Sequence, residues 1–292
     1  MMIGKKEGTQ DNRTVRKGIS ITKFSVNLRT YLGYCFTEFI HQKGWLVFPG
    51  TALIMLILLT VLNKDEMFVY YSETRNGIFC ITCAAIWVGI FNSVQSICKE
   101  RDALKHEHMQ DQIYFGAYVL AHVLYETFLC LVEAGIIQAS IMSAFRSGLA
   151  DHPIPPIRLY VTLVLILLSS DTMGLLLSGI VKNATTAMTV MPFLLILQLV
   201  MAGVIFELSG AANAMSYVTV AKWGMTALCS CISINDLQMS KEIDQVIFHH
   251  HFTEYSSGLA HLISVWAAML LIGVICTIVT TFALRLVDKD RR

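Results

Sequence analysis

Four ionisable residues stand in stretches otherwise apolar enough to lie in a membrane, and they are the first places to look for chemistry. His122, Glu126 and Glu133 are spaced by four and then seven residues, so a helix puts them on one face, which Ser140 continues. Asp171 sits in the run Ser-Ser-Asp-Thr, with Gly174 and Ser178 on its own helix face. Ionisable groups are costly in hydrocarbon, so such residues mark proton relays or polar substrate paths. They serve equally as buried interhelical hydrogen bonds, with Glu126 and Asp171 partnering neighbouring helices. No acid–base partner repeats in symmetrical positions, which favours the second reading over a proton-coupled carrier.

Other patterns offer less. His106-Glu107-His108 spaces two histidines by two, which turns them to different helix faces and does not make the H-E-x-x-H zinc pattern. His249, His250 and His251 read as a polar loop tip rather than a metal site. Cys80-x-x-Cys83 lies in an apolar helix with no βαβ context, which argues against a redox role. No G-x-x-x-x-G-K-[ST] run occurs, so the chain has no P-loop to cradle ATP phosphates. No catalytic residue, no metal and no cofactor of its own is expected. The sequon Asn183-Ala-Thr185 falls on the side that charge counting places in the cytoplasm, and is set aside.

The elements that hold these residues follow from composition. Of 292 residues, 55% are hydrophobic and 15% charged, against about one-quarter charged in soluble domains. Uncharged runs of roughly 20 residues mark membrane spans. The expected class is therefore an all-α integral membrane protein. Eight cysteines are scattered through apolar segments, where a free thiol acts as a small hydrophobe, and no disulfide framework is readable. The first 45 residues have no early apolar core, so no cleavable signal peptide is expected.

Residues 1–18 are polar and basic and read as a disordered tail. Residues 19–45 carry Ile21, Phe24, Leu28, Tyr31, Leu32, Cys35 and Phe39 at spacings of three and four, an amphipathic helix lying along the inner membrane surface or packed on a partner. Residues 46–292 hold six spans, near 46–62, 77–97, 113–145, 157–181, 185–206 and 259–284. The segment 207–258 is too long for a bare connector and too interrupted for a seventh span. It reads as re-entrant helical pieces that dip into the bilayer, followed by a cap over Val246 to Tyr255. Sixteen Lys and Arg fall on the side of the termini against six on the other, which puts both termini in the cytoplasm of a plasma or inner membrane.

One stretch joins the membrane to its surroundings. Trp87–His108 reads as a single helix that leaves the bilayer into Lys99, Glu100, Arg101, Asp102, Lys105 and Glu107. Such a patch suits docking a soluble partner.

At this point the arrangement resembles the permease domain of ABC exporters of the white/multidrug G subfamily. Glu100-Arg-Asp-Ala-Leu-Lys-His-Glu107 is similar to that family's coupling segment. Met201-Ala-Gly-Val-Ile-Phe-Glu-Leu208 and Tyr217-Val-Thr-Val-Ala-Lys-Trp-Gly-Met-Thr-Ala-Leu228 are similar to the end of its fifth span and its re-entrant region. The likeness covers Ile19 to Arg292, between these blocks as hydropathy alone. It implies a dimer of permease chains around a central cavity, in membrane lipid, driven by separate P-loop ATPase subunits that hold the ATP and magnesium. No nucleic-acid partner is expected. The resemblance further implies that Ala85, Val88 and Asn92 line the cavity from the second span and Ile196 and Leu199 from the fifth. Val204 and Ile205 would form the upper valve. Glu100, Arg101, Asp102, Lys105 and Glu107 would couple to the ATPase, with Glu100 paired to the connecting helix through Arg29. The chain departs from the family in having no fused ATPase, no cysteine pair suited to outer-loop disulfides, and small or aliphatic residues where multidrug members place a cavity aromatic. The last departure argues against flat, polyaromatic cargo.

Overall fold

A computed structural model describes residues 7–62, 66–109, 114–145, 154–206, 208–237 and 255–289. The fold is all-helical, with α1 Glu7–His41, α2 Val47–Val61, α3 Tyr71–Ser93, α4 Ser96–Met109 and α5 Phe115–Ala144. There follow α6 Pro156–Ile180, α7 Ala184–Met201, the short α8 Ala211–Ser216, α9 Val220–Ile232 and α10 Leu259–Lys289. Six helices are long and apolar enough to cross a membrane: Gly44–Val61, Tyr71–Arg101, Phe115–Ala144, Pro156–Ile180, Ala184–Met201 and Leu259–Arg285.

Helix α6 is the centre of the bundle, packed most extensively on α3 and α10 and also on α5 and α9. It meets α3 at very short range because both helices present small residues there. A Cβ on Gly174 would lie 2.3 Å from Ser93 Oγ and 2.8 Å from the Ile90 carbonyl oxygen, and one on Gly89 would lie 2.6 Å from the Leu167 carbonyl oxygen. The two glycines thus let backbone touch backbone, the usual basis of helix association where lipid removes the hydrophobic drive. Ser93 Oγ uses the closeness to donate to the Asp171 carbonyl oxygen at 2.7 Å.

Helix α1 begins at Glu7 rather than at Ile19, and its apolar stripe is covered by α5 of the same chain. The contact is largely aromatic and edge-on. Tyr31 meets Tyr118 at 5.3 Å between ring centroids, and Phe36 meets Tyr125 at 5.6 Å and Phe128 at 5.5 Å. Such pairs add about 0.5–1.5 kcal/mol each beyond area burial. Cys35 is buried in the same contact, and burial pushes its thiol up to about 12, which keeps it protonated and unreactive.

Helix α7 starts on a side-chain cap. Asn183 Oδ1 accepts from the Thr186 amide at 2.8 Å and the Thr186 hydroxyl at 2.6 Å. It ends at Met201, short of the expected Phe206, where Gly203 takes a φ of +72° and its carbonyl accepts from Arg75 Nη2 at 2.9 Å. Helix α9, at about 20 Å from 1.5 Å per residue, is too short for a hydrocarbon core of about 30 Å. It is buried against α10, α3 and α6. Gln198 of α7 anchors it, accepting from the Ala221 amide at 3.1 Å and so satisfying a first-turn donor that has no partner within the helix. The expected cap over Val246 to Tyr255 lies outside the described residues except for Tyr255, whose carbonyl accepts from Asn235 Nδ2 at 3.2 Å.

The α3–α6 contact makes a clear expectation. Gly174→Val should destabilise the protein by about 1–3 kcal/mol or more by overpacking, read as an earlier unfolding transition in detergent. Gly135→Ala, at a helical glycine with open space around it, should leave that transition in place.

Candidate functional site

The stretch Trp87–His108 is two helices, not one, with Val94 and Gln95 in a turn between α3 and α4. The cause is on another helix. Ser178, near the end of α6, accepts with its Oγ from the amides of Ile97 and Cys98, both at 3.0 Å. These are first-turn donors of α4 that have no partner inside the helix. Cys98 Sγ donates back to the Ser178 carbonyl oxygen at 3.0 Å.

Two charged residues of α4 expected to face a partner are turned into the chain. Arg101 is only 6% exposed. Its Nη1 donates to the Val181 carbonyl oxygen and its Nη2 to that of Gly179 at 3.2 Å. A cation thereby closes the carbonyl end of α6, where the helix dipole is negative. Glu100 points to α5, where its Oε2 accepts the Tyr118 hydroxyl at 2.6 Å and lies 3.4 Å from His122 Nε2, misaligned for a hydrogen bond. Its neighbour on α1 is Glu38, not Arg29, which is exposed. Burial raises the Glu38 carboxyl above the ordinary range, and the adjacent Glu100 carboxylate adds to the rise. The side chains of Asp102, Lys105 and Glu107 lie outside the described residues, as does the side chain of His106 and that of His108.

Between α1, the α3–α4 turn and α5 lies a cavity of about 280 Å³. Glu38, Glu100, His122 and Glu126 line it, together with Asn92, Gln95 and Ser96 and the rings of Phe39, Phe91 and Tyr125. Spacing placed His122 and Glu126 on one face of α5. That α1 and α4 would roof this face was not readable from spacing.

The four buried ionisable residues do not form one relay. Glu133 is fully engaged, with Asn92 Nδ2 donating to both carboxyl oxygens at 3.0 Å and Thr51 Oγ1 donating to one at 3.1 Å. It ties α5 to α3 and α2. Asp171 is buried on α6 with neither carboxyl oxygen hydrogen-bonded. Among the described residues no hydrogen bond joins any two of His122, Glu126, Glu133 and Asp171.

The residues expected to line a cavity between copies are placed unevenly. Ala85 and Val88 are 0% and 5% exposed, covered within the chain itself. The open face of α3 instead carries Trp87 and Phe91, each 53% exposed. Asn92 is half-buried and committed to Glu133. On α7, Ile196 is exposed and Leu199 half-buried, and beyond its end Val204 is half-buried and Ile205 exposed. Cys80 and Cys83 remain half-buried free thiols on α3, and no metal-ligating cluster forms among the described residues.

The docking of α4 is open to measurement. Arg101→Met should leave the last carbonyls of α6 without their donor, a loss of about 1–3 kcal/mol locally. Amide exchange across 96–104 should then quicken, whereas Lys99→Ala, at an exposed position of the same turn, should leave it slow.

Comparison with known proteins agrees with this architecture. Residues 27–233, from within α1 to the end of α9, match the family described as ABC-2 type transporter. The ABC transporter ATP-binding/permease protein Rv1747 of Mycobacterium tuberculosis is 24% identical over 168 residues, covering 56% of this chain and 19% of that protein. The chain thus spans about a fifth of that relative's length. Six helices long and apolar enough to cross a membrane and a family match over most of the chain lead to one assignment: this protein belongs to the ABC-2 type transporters.

Proposed function

We propose that the chain forms one half of an exporter of the white/multidrug G type, pairing with a second permease chain around a central cavity. ATP is hydrolysed on a separate ATP-binding partner that also holds the magnesium. The end of the bundle where α1 and α4 lie faces the cytoplasm, as the bias of sixteen Lys and Arg against six supports. The family assignment supports ATP as the energy source, which does not favour a proton-driven carrier working through His122, Glu126, Glu133 and Asp171. Their lack of a connecting relay agrees with that.

The observation that carries the coupling role is the double anchorage of α4. Its start is bonded to Ser178, Gly179 and Val181 of the α6 end, and its Glu100 to Tyr118 of α5. A partner that pushes α4 therefore moves two membrane helices at once. The tail of α4, with Asp102, Lys105 and Glu107, is the segment that meets the partner, while Glu100 and Arg101 pass the motion inward. Alternation of access follows from rigid movement of the two halves.

The cargo is apolar or amphipathic. The open faces of the adjacent helices α3 and α7 carry Trp87 and Phe91 on one and Phe193 and Ile196 on the other. With aromatic residues on that surface, the argument against flat cargo loses its basis. Val204 and Ile205 stand beyond the end of α7, where the upper valve is proposed, and α9 supplies the half-length helix of a re-entrant segment.

Proteoliposomes holding the chain with its ATP-binding partner test the coupling. Glu100→Lys should lower efflux of a lipophilic dye per ATP hydrolysed by roughly tenfold or more, with hydrolysis and membrane insertion retained. Wild-type efflux per ATP in that variant would overturn the role.

A further inference from the structure

The cavity beneath α1 has the chemistry of a cation site. Three carboxylates line it, from Glu38, Glu100 and Glu126, on three different helices. The opposing charge is the Lys99 amine, exposed at the rim, and the imidazole of His122 lies beside Glu100. Arg101, the other nearby cation, is spent on the end of α6.

One of the lining groups is buried and unsatisfied. Glu126 is 1% exposed and its Oε2 has no hydrogen-bond partner, whereas the Nε2 of the buried His122 lies 3.4 Å from the Glu100 carboxylate. A buried polar acceptor without a donor costs about 1–3 kcal/mol, so a ligand that supplies the donor satisfies an oxygen that the chain leaves without one. The walls add aromatic faces from Phe39, Phe91 and Tyr125, which attract a cation lying over them. At about 280 Å³ the space is at the small end of ligand sites, which run from about 300 to 1,000 Å³. It suits a headgroup rather than a whole drug. Val47, Leu129 and Met188 add apolar lining on which an attached chain could pack.

We propose that this cavity binds the ammonium group of an amphipathic amine, with the Glu126 and Glu100 carboxylates as its acceptors. The amine is either the headgroup of a membrane lipid or a free alkylamine, since both present the same N–H donors and the same positive charge. The site is complete within one chain, adjoins the surface proposed to meet a second copy at Phe91, and needs no nucleotide.

The test uses the full chain in phosphatidylglycerol nanodiscs with no ATPase present, so its outcome is separate from that of the transport reading. The probe is dodecylamine carrying a diazirine beside the amine, with the matching dodecanol as the uncharged control. Irradiation should label peptides spanning residues 35–47 and 122–129 with the amine and not with the alcohol. Glu126→Gln should weaken labelling by roughly tenfold in apparent Kd, while Asp171→Asn, a buried acid outside the cavity, should leave it unchanged. Loss of labelling in phosphatidylethanolamine nanodiscs supports the site with lipid as the source. Persistence there, with displacement by unlabelled dodecylamine, supports it with the free amine as the source. Equal labelling by dodecanol, label confined to other peptides of the wild-type chain, or full labelling of a folded Glu126→Gln variant would each overturn the proposal. The mapping on wild-type protein keeps the test decisive should Glu126→Gln fail to fold.

Discussion

Only small side chains separate α3 from α6 along the middle of their contact, because Gly89 faces the Leu167 carbonyl and Ser170, and Gly174 faces the Ile90 carbonyl and Ser93. Apolar surface gives two helices little reason to associate in lipid, since the tails are as apolar as leucine, so such a contact depends on dispersion at short range and on polar bonds across it. Both are present here. The small residues permit the approach, and the approach brings Ser93 within reach of the Asp171 carbonyl. The same register, continued along the two helices, lays the end of α3 on the end of α6. There Ser178 and Arg101 exchange the polar groups that each helix terminus leaves open. Removing the glycines would therefore alter more than local packing, because the footing of α4 is set by the α3–α6 distance.

That footing explains how a soluble partner can move helices it does not touch. Helix α4 is short and charged, and on its own it would have marginal stability in water. Its first turn is instead completed by the end of α6, and Glu100 pins its side to α5. Helix α1, zipped to α5 by aromatic rings, closes the assembly from the other side. A displacement of α4 is then shared by α5 and α6, and through α6 by α10.

Much of this was legible in the sequence, and the parts that were not share a cause. The spans were readable because hydropathy is a local property. The stripe of α1 was readable because three- and four-residue spacing is local too, and Phe24, Tyr31, Cys35 and Phe39 do lie on its covered side. The turn at Val94 and Gln95 was invisible because the residue that stabilises it, Ser178, is some 80 positions away. Arg101 read as a surface charge for the same reason: nothing in its neighbourhood shows that the carbonyl end of another helix awaits it. The face of α3 was misjudged at Ala85 and Val88 because a helix that is apolar all round gives no moment to say which side is covered. Trp87 and Phe91, two of its largest apolar residues, are left open.

The buried acids show what residue spacing does and does not decide. His122, Glu126 and Glu133 share a face of α5, yet their fates differ with depth. Glu133 meets Asn92 and Thr51, which donate to both of its oxygens, so the carboxylate becomes a tie between three helices. Glu126, two turns nearer α4, faces a gap that α1 roofs but does not fill, and its outer oxygen finds no donor. Burial alone would disfavour a charge at either place, so the difference lies in the partners. A satisfied acid holds the bundle together. An unsatisfied one beside a cavity keeps its capacity to bind, and in α5 that capacity is retained at the end of the helix where α1 and α4 converge.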